Sequence, residues 1–160
     1  CVDVYEGALR IAEKVTAGYT IDSRTSDPVT YIRDHTGGAR VRFAFDTVCS
    51  LETQQQGLAI LGNQGILVNM ATKKLQVPLE LTSLGGERQV RGSSNYLIPE
   101  FQMAVDLFVS GQIKTAPWIT HRVPLASVPS AFDMLLSKQS NSAFKAVVEP
   151  PSAAQRGPQR

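Results

Sequence analysis

Thiols and imidazoles are what this sequence has least of. Its 160 residues hold two cysteines and two histidines, and no two of Cys1, Cys49, His35 and His121 stand at zinc-finger or zinc-ribbon spacing. Any catalytic metal would have to come from residues outside this chain. Two cysteines, one of them the first residue, build no disulfide framework, so a reducing, cytoplasmic setting is expected. Charge of one sign is lacking too: 16 basic side chains stand against 14 acidic ones, a formal net charge of +2 with no basic block. Affinity for nucleic acid needs clustered positive charge, so no such partner is expected. No apolar run reaches the roughly 20 residues of a transmembrane helix. The N-terminus also lacks the basic-then-apolar order of a secretion signal, and no membrane partner is expected. The chain starts at Cys1 and not at methionine, from which a missing upstream stretch is expected.

Two motif absences are equally informative. No G-x-G occurs among the 12 glycines, so the turn that cradles a pyrophosphate is not in this chain. Ser93-Ser94 has no G-x-S-x-G elbow around it, which leaves serine hydrolase chemistry without support.

What is present is an alternation of short β-rich runs with helical periods, in a composition that is 42% hydrophobic. That alternation predicts a parallel sheet with crossover helices. Cys1-Val2-Asp3 reads as a strand stub, followed by a helix whose stripe is Ala8, Ile11, Ala12 and Val15. Tyr19 to Ile21 reads as a short strand. Asp27-Pro28 opens a helix, with Asp at the N-cap and Pro at the first helical position, and Gly37-Gly38 closes it. Val41 to Phe45 is a strand ending in Asp46. Ser50 caps a helix through Leu51, Gln55, Leu58 and Leu61, with Gly62 as its stop. The apolar run Gly65 to Val68 suits a strand covered on both faces. Val77 to Leu84 reads as an edge strand marked by Pro78, and Glu87 to Arg91 as the last strand of that sheet. A helix follows over Pro99 to Ser110, with Phe101, Ala104, Val105, Phe108 and Val109 on one face. After Trp118-Ile119-Thr120 come a helix from Ser127 to Leu136 and a strand from Phe144 to Val148.

Chemistry in open α/β sheets gathers where strands end and helices begin. Asp3 is the first candidate there: a carboxylate at a strand tip can accept both ribose hydroxyls of NAD and repel the extra phosphate of NADP. Asp3-Val4-Tyr5-Glu6 equally fits a helix capping box, and both readings stand at this point. His35 lies near a helix C-terminus, where it meets the dipole favourably. His121, in a Thr-His-Arg turn, reads as a structural hydrogen-bonder. Cys49, just after the strand, reads as a packing residue.

In order and spacing, Val2-Asp3, Ala17 to Asp22, Phe43 to Val48, Gly65 to Ala71, Gly92 to Tyr96, Ile119 to Arg122 and Phe144 to Pro150 resemble the latter part of zinc-dependent medium-chain alcohol dehydrogenases. The butanediol dehydrogenase-like branch is the nearest. The resemblance implies a truncated Rossmann-type, doubly wound parallel sheet whose first strand and glycine loop are absent. It implies a partial dinucleotide-binding domain over 1–112, a segment returning to an absent catalytic domain over 113–150, and a disordered tail over 151–160. Asp3 would hold the adenosine ribose, and Val4 and Val48 would sandwich the adenine. The backbones at Met70, Ala71, Ser93, Ser94 and Asn95 would face the nicotinamide end. Ala8 departs from the basic residue common there, and Thr16 and Cys49 stand where relatives often carry glycine.

The implied function is the cofactor-binding part of an NAD-dependent alcohol or polyol oxidoreductase, inactive as an isolated chain. NAD binding would be weak or absent here, and zinc would belong to the missing catalytic domain. The partners implied are an alcohol or diol substrate in the complete enzyme and a second copy of the chain, joined through the edge near Leu79-Leu84. Two alternatives remain open: a non-catalytic fragment serving as an oligomerisation or binding module, and a zinc-independent quinone reductase-like enzyme.

Overall fold

The computed structural model describes residues 1–15, 18–72, 76, 78–136 and 143–150. The chain divides into two compact units, one comprising 25–101 and the other comprising 1–24 with 102–160.

In the unit 25–101, local chemistry starts each helix. Helix α1 is Glu6–Val15, in the other unit; α2 is Pro28–His35, where Asp27 accepts a hydrogen bond from the Thr30 N–H at 2.9 Å and Pro28 sits in the first turn. α2 ends at Gly37 and Gly38, both at positive φ. β3 (Val41–Asp46) leads into α3 (Leu51–Ile60), where Ser50 and Thr53 form a reciprocal capping box. β4 (Leu61–Asn69) pairs in parallel with β3 on one side and with β5 (Gln89–Gly92) on the other. On one face of this central strand Ile66 and Val68 are half-buried and not covered as the sequence predicts. Leu61 and Leu67 are fully buried in the strand, with Gly65 also buried. Leu58 of α3 joins them, with Val41, Ala44 and Leu84 packed around. α3 approaches β4 so closely that a Cβ on Gly57 would lie 2.7 Å from Leu67 Cδ1.

The other unit holds two parallel strand pairs. β1 (Val2–Asp3) pairs with β2 (Ile21–Asp22), and α1 connects them, burying Leu9, Ile11 and Ala12. β6 (Ile119–Pro124) pairs with β7 (Lys145–Glu149) by way of α5 (Val128–Leu136), which buries Ala131. α4 (Ile98–Val109) runs across the boundary between the units.

Several expectations need correction. The edge strand predicted at Val77 to Leu84 does not form among the described residues there; Leu81–Leu84 is a 3-10 turn. The Ser83 hydroxyl donates to the Glu80 carbonyl at 2.6 Å, and the Thr82 hydroxyl donates to the Glu80 carboxylate at 2.6 Å. Short polar side chains here bond to their own neighbourhood and displace ladder pairing. Among the described residues the sheet's edges are β3 and β5 instead. Gly62 does not stop α3 either: the helix ends at Ile60, and Leu61, already extended, begins β4 because its side chain fills the core. β2 lies at Ile21–Asp22 and not at Tyr19 to Ile21, and His121 lies inside β6 and not in a turn. α4 forms as predicted, but its apolar face is open: Phe101, Val105, Phe108 and Val109 are all exposed. The departure predicted at Thr16 and the tail at 151–160 lie outside the described residues.

Candidate functional site

Parallel pairing brings three strand ends into line. Asp46 of β3 stands opposite Asn69 of β4, and Asn69 opposite Gly92 of β5. The chain leaves each strand at the same rim, through Thr47 to Ser50, through Met70-Ala71 and through Ser93 to Asn95. Six of the eight residues expected to face a cofactor therefore share one edge: Val48, Met70, Ala71, Ser93, Ser94 and Asn95. All are exposed except Ala71, which is half-buried. Backbone bonds continue the ladder past the strand ends, since Met70 N–H donates to the Asp46 carbonyl at 2.8 Å and Ser93 N–H to the Asn69 carbonyl at 2.8 Å. Asn95 holds φ of +61°, a left-handed turn that asparagine tolerates.

Beneath the rim lies a carboxylate that sequence reasoning did not single out as a site residue. Asp46 is only 7% exposed. Its Oδ1 accepts from the Val48 and Cys49 N–H groups, both at 2.9 Å. Its Oδ2 accepts from the Thr53 hydroxyl at 2.9 Å and from Gln54 Nε2 at 2.8 Å. Burial pushes this carboxyl up, but the amides of Cys49 and Val48 with the Thr53 and Gln54 side chains outweigh it and hold Asp46 below the usual carboxylate range. Asn69 completes the arrangement: Nδ2 lies 3.2 Å from Cys49 Sγ, and Oδ1 accepts from the Ala71 N–H at 3.0 Å. Cys49 is buried and holds φ of +52°. Glycine takes that conformation without strain, whereas a residue with a side chain does not. An Asp at a strand end, followed by a capped helix four residues on, is the sequence signal that points to such a turn.

The remaining two candidates belong to the other unit. Asp3 ends β1 half-buried, and its Oδ1 accepts from the Tyr5 N–H at 2.9 Å; Val4 is exposed. The capping-box reading of this stretch is not what forms. α1 begins at Glu6, and Glu6 pairs instead with Arg10 at 3.1 Å. Beside Asp3 in register is Asp22, chelated by Arg24 through Nε at 2.9 Å and Nη2 at 2.6 Å. Hydrogen bonds from the Arg24 side chain and backbone bring the Asp22 carboxyl down to about 2.

Both histidines have structural surroundings. His35 stacks on Tyr31 at 3.8 Å, with Nδ1 2.9 Å from the Tyr31 carbonyl. His121 Nδ1 lies 3.0 Å from the Thr120 hydroxyl, which in turn accepts from the Phe144 and Lys145 N–H groups. Among the described residues no three His, Cys, Asp or Glu side chains converge as metal ligands, so this donor set does not fit a zinc ion. A cavity of about 340 Å³ lies along α3 and the start of β5, between Leu58, Leu79 and Arg88. It contains none of the eight candidate residues and is not the rim.

Parallel strands alternating with helices, with strand ends lined up on one rim, define a Rossmann-like α/β fold. The zinc-binding dehydrogenase family matches residues 1–110, and the chain belongs to it. It is 28% identical over 114 residues to 2-dehydro-3-deoxy-L-galactonate 5-dehydrogenase of Pseudoalteromonas atlantica, covering 71% of this chain and 33% of that protein. It is 24% identical over 156 residues to an alcohol dehydrogenase of Cupriavidus necator, covering 93% of this chain and 42% of that one. The crystal structure of 2R,3R-butanediol dehydrogenase from Bacillus subtilis superposes with a TM-score of 0.83 at 20% identity, covering 94% of this chain and 43% of that chain. The chain thus spans less than half the length of these relatives. Among the described residues, no helix is long and apolar enough to cross a membrane.

Proposed function

We propose that this chain is the cofactor-binding part of an NAD-dependent alcohol or polyol oxidoreductase of the butanediol dehydrogenase-like kind, working in the cytoplasm and without turnover by itself. The observation that carries the reading is the rim, where the ends of β3, β4 and β5 stand in register and present Val48, Met70-Ala71 and Ser93 to Asn95 on one edge. Asp3 adds a carboxylate at a strand tip, and its Oδ2 accepts no hydrogen bond among the described residues. In this reading Asp3 takes the ribose hydroxyls of NAD, Val4 and Val48 flank the adenine, and the backbones after β4 and β5 line the nicotinamide end. Bound NAD supplies the hydride acceptor for oxidation of a carbinol. The residues of this chain bind and orient, and none of them is assigned a proton transfer or a metal.

Calorimetric titration tests the assignment. NAD is expected to bind weakly and NADP more weakly still, because the Asp3 charge opposes a ribose phosphate. Equal affinity for both, or an Asp3→Ala variant indistinguishable from the parent, overturns the role of Asp3. Association of two copies near Leu79-Leu84 belongs to the same reading, supported by the exposed Leu81 side chain. Light scattering is expected to show a dimer that Leu81→Lys dissociates, and a monodisperse monomer at high concentration removes this contact.

A further inference from the structure

We propose that Asp46 is the positioning residue of the rim, and that its hold on the turn after β3 extends through Cys49 and Asn69 to the backbone after β4. The cofactor-facing part of this inference rests on the function proposed above; the mechanical part does not.

The argument is one of satisfied atoms. A carboxylate 7% exposed is costly unless its oxygens are bonded, and Asp46 has four donors, two on each oxygen. The Oδ1 pair pins Val48 and Cys49 as a tight turn. The Oδ2 pair ties that turn to Thr53 and Gln54 in the first turns of α3. Cys49 sits at φ of +52°, a conformation that a residue with a side chain keeps only when its surroundings enforce it. Two enforcing groups are visible: the bond from Cys49 N–H to Asp46, and Asn69 Nδ2 at 3.2 Å from the sulfur. Gln54 Nε2, already bonded to Asp46, lies 3.8 Å from the same sulfur. Asn69 then spends its other end on the Ala71 N–H. A continuous path therefore runs from the Asp46 carboxylate to a rim amide 25 residues later in the chain, without Asp46 touching that amide. Inward bonding occupies the carboxylate, while Val48 and Met70 face outward.

Changing Asp46 to Asn keeps the shape but leaves a single acceptor oxygen, and the amide that replaces the other faces either Gln54 Nε2 or the two turn N–H groups. The four-bond anchor is then weakened, Cys49 is held less firmly in the left-handed region, and the sulfur seats Asn69 less well. A purely local role, stabilising only the start of α3, makes a different forecast: Ala71 is unaffected.

Amide hydrogen exchange of the full chain, read by NMR, separates the two. Asp46→Asn is expected to speed exchange about tenfold at Val48, Cys49 and Ala71, with the amides inside β4 unchanged. Cys49→Ala, which retains the carboxylate and cuts only the sulfur link, speeds Ala71 and leaves Val48 as it was. Gly57→Ala, which strains the packing of α3 on Leu67, loosens β3 to β5 together and calibrates a general loss of stability. Unchanged protection at Ala71 in both Asp46→Asn and Cys49→Ala overturns the proposal, as does a uniform loss like that of Gly57→Ala. If Asp46→Asn does not fold, the Cys49→Ala result decides. NAD titration forms a second arm, in which Asp46→Asn weakens binding about tenfold while Glu52→Gln, on the exposed side of α3, does not. Failure of the unaltered chain to bind NAD counts against the proposed function alone, and the exchange data still decide the positioning role.

Discussion

The unit 25–101 and the unit formed by 1–24 with 102–160 use the same strand-helix-strand units and reach different degrees of burial. In the first, β4 has a partner on each side, and Leu61 and Leu67 are fully buried. In the second, among the described residues, each sheet has two strands and no strand is flanked twice. Large apolar side chains stay exposed in both units, Phe132 and Leu136 of α5 as well as Phe43 and Phe45 of β3. The two-stranded pairs still bury Leu9, Ile11, Ala12, Ile21 and Ala131, but the fully buried side chains, Leu61 and Leu67, lie on the central strand. The carboxylates at the strand ends differ in the same way. Asp46 lies under the rim with four protein donors, while Asp22 is held at the surface by Arg24. Both are shifted down, for different reasons and with different consequences.

The comparison can be broken most severely in the core. Leu67→Ala is expected to destabilise the unit 25–101 by about 3 kcal/mol, measured by urea unfolding, whereas Phe132→Ala in the other unit changes little. Similar losses at the two positions would dissolve the distinction between the units.

Next comes pH. The folded-state value of Asp46 lies below that of the unfolded chain, so its stabilising contribution is complete above the ordinary value of 3.8 and fades as pH falls through the lowered folded value. Acid unfolding of the unit 25–101 is expected to steepen below that value, to persist in high salt, and to flatten in Asp46→Asn. A pH profile unchanged by Asp46→Asn would show that the four bonds do not favour the charged form.

The smallest effect is expected at the surface pair. Asp22, brought down to about 2, follows the same sign, but Arg24 is exposed and Asp22 only half-buried, so solvent screens the pair. Thermal unfolding of Asp22→Asn in moderate salt is expected to match the parent. A clear drop would mean that the Asp22–Arg24 chelate organises β2 and is more than a solvated pair.

Much of the fold was legible because its signals are local. Asp27-Pro28 and Ser50 mark helix starts through bonds that span three residues, and the structure forms both. The apolar run Gly65 to Val68 marks a strand, and β4 is that strand, but only one of its faces is buried: Gly65 and Leu67 are buried while Ile66 and Val68 are half-buried. Where the reading failed, competing local chemistry or distant packing decided. Leu79 to Thr82 alternate like a strand, yet Ser83 and Thr82 turn back on Glu80. Leu61 completes a helical stripe, yet it is extended because the core lies under β4.

By itself, the sequence determined the alternation of strands and helices, except at Val77 to Leu84, and the helix starts at Asp27-Pro28 and Ser50. Resemblance named the six residues that leave β3, β4 and β5 at one rim. Only the tertiary structure decided what holds that rim. Asp46, Cys49, Gln54 and Asn69 carry no shared periodicity and no motif spacing. They meet because parallel pairing sets Asp46 opposite Asn69, and because α3 folds back over β4 to bring Gln54 onto both Asp46 and Cys49. Contacts across 20 residues of chain are products of register, and register is a property of the folded sheet.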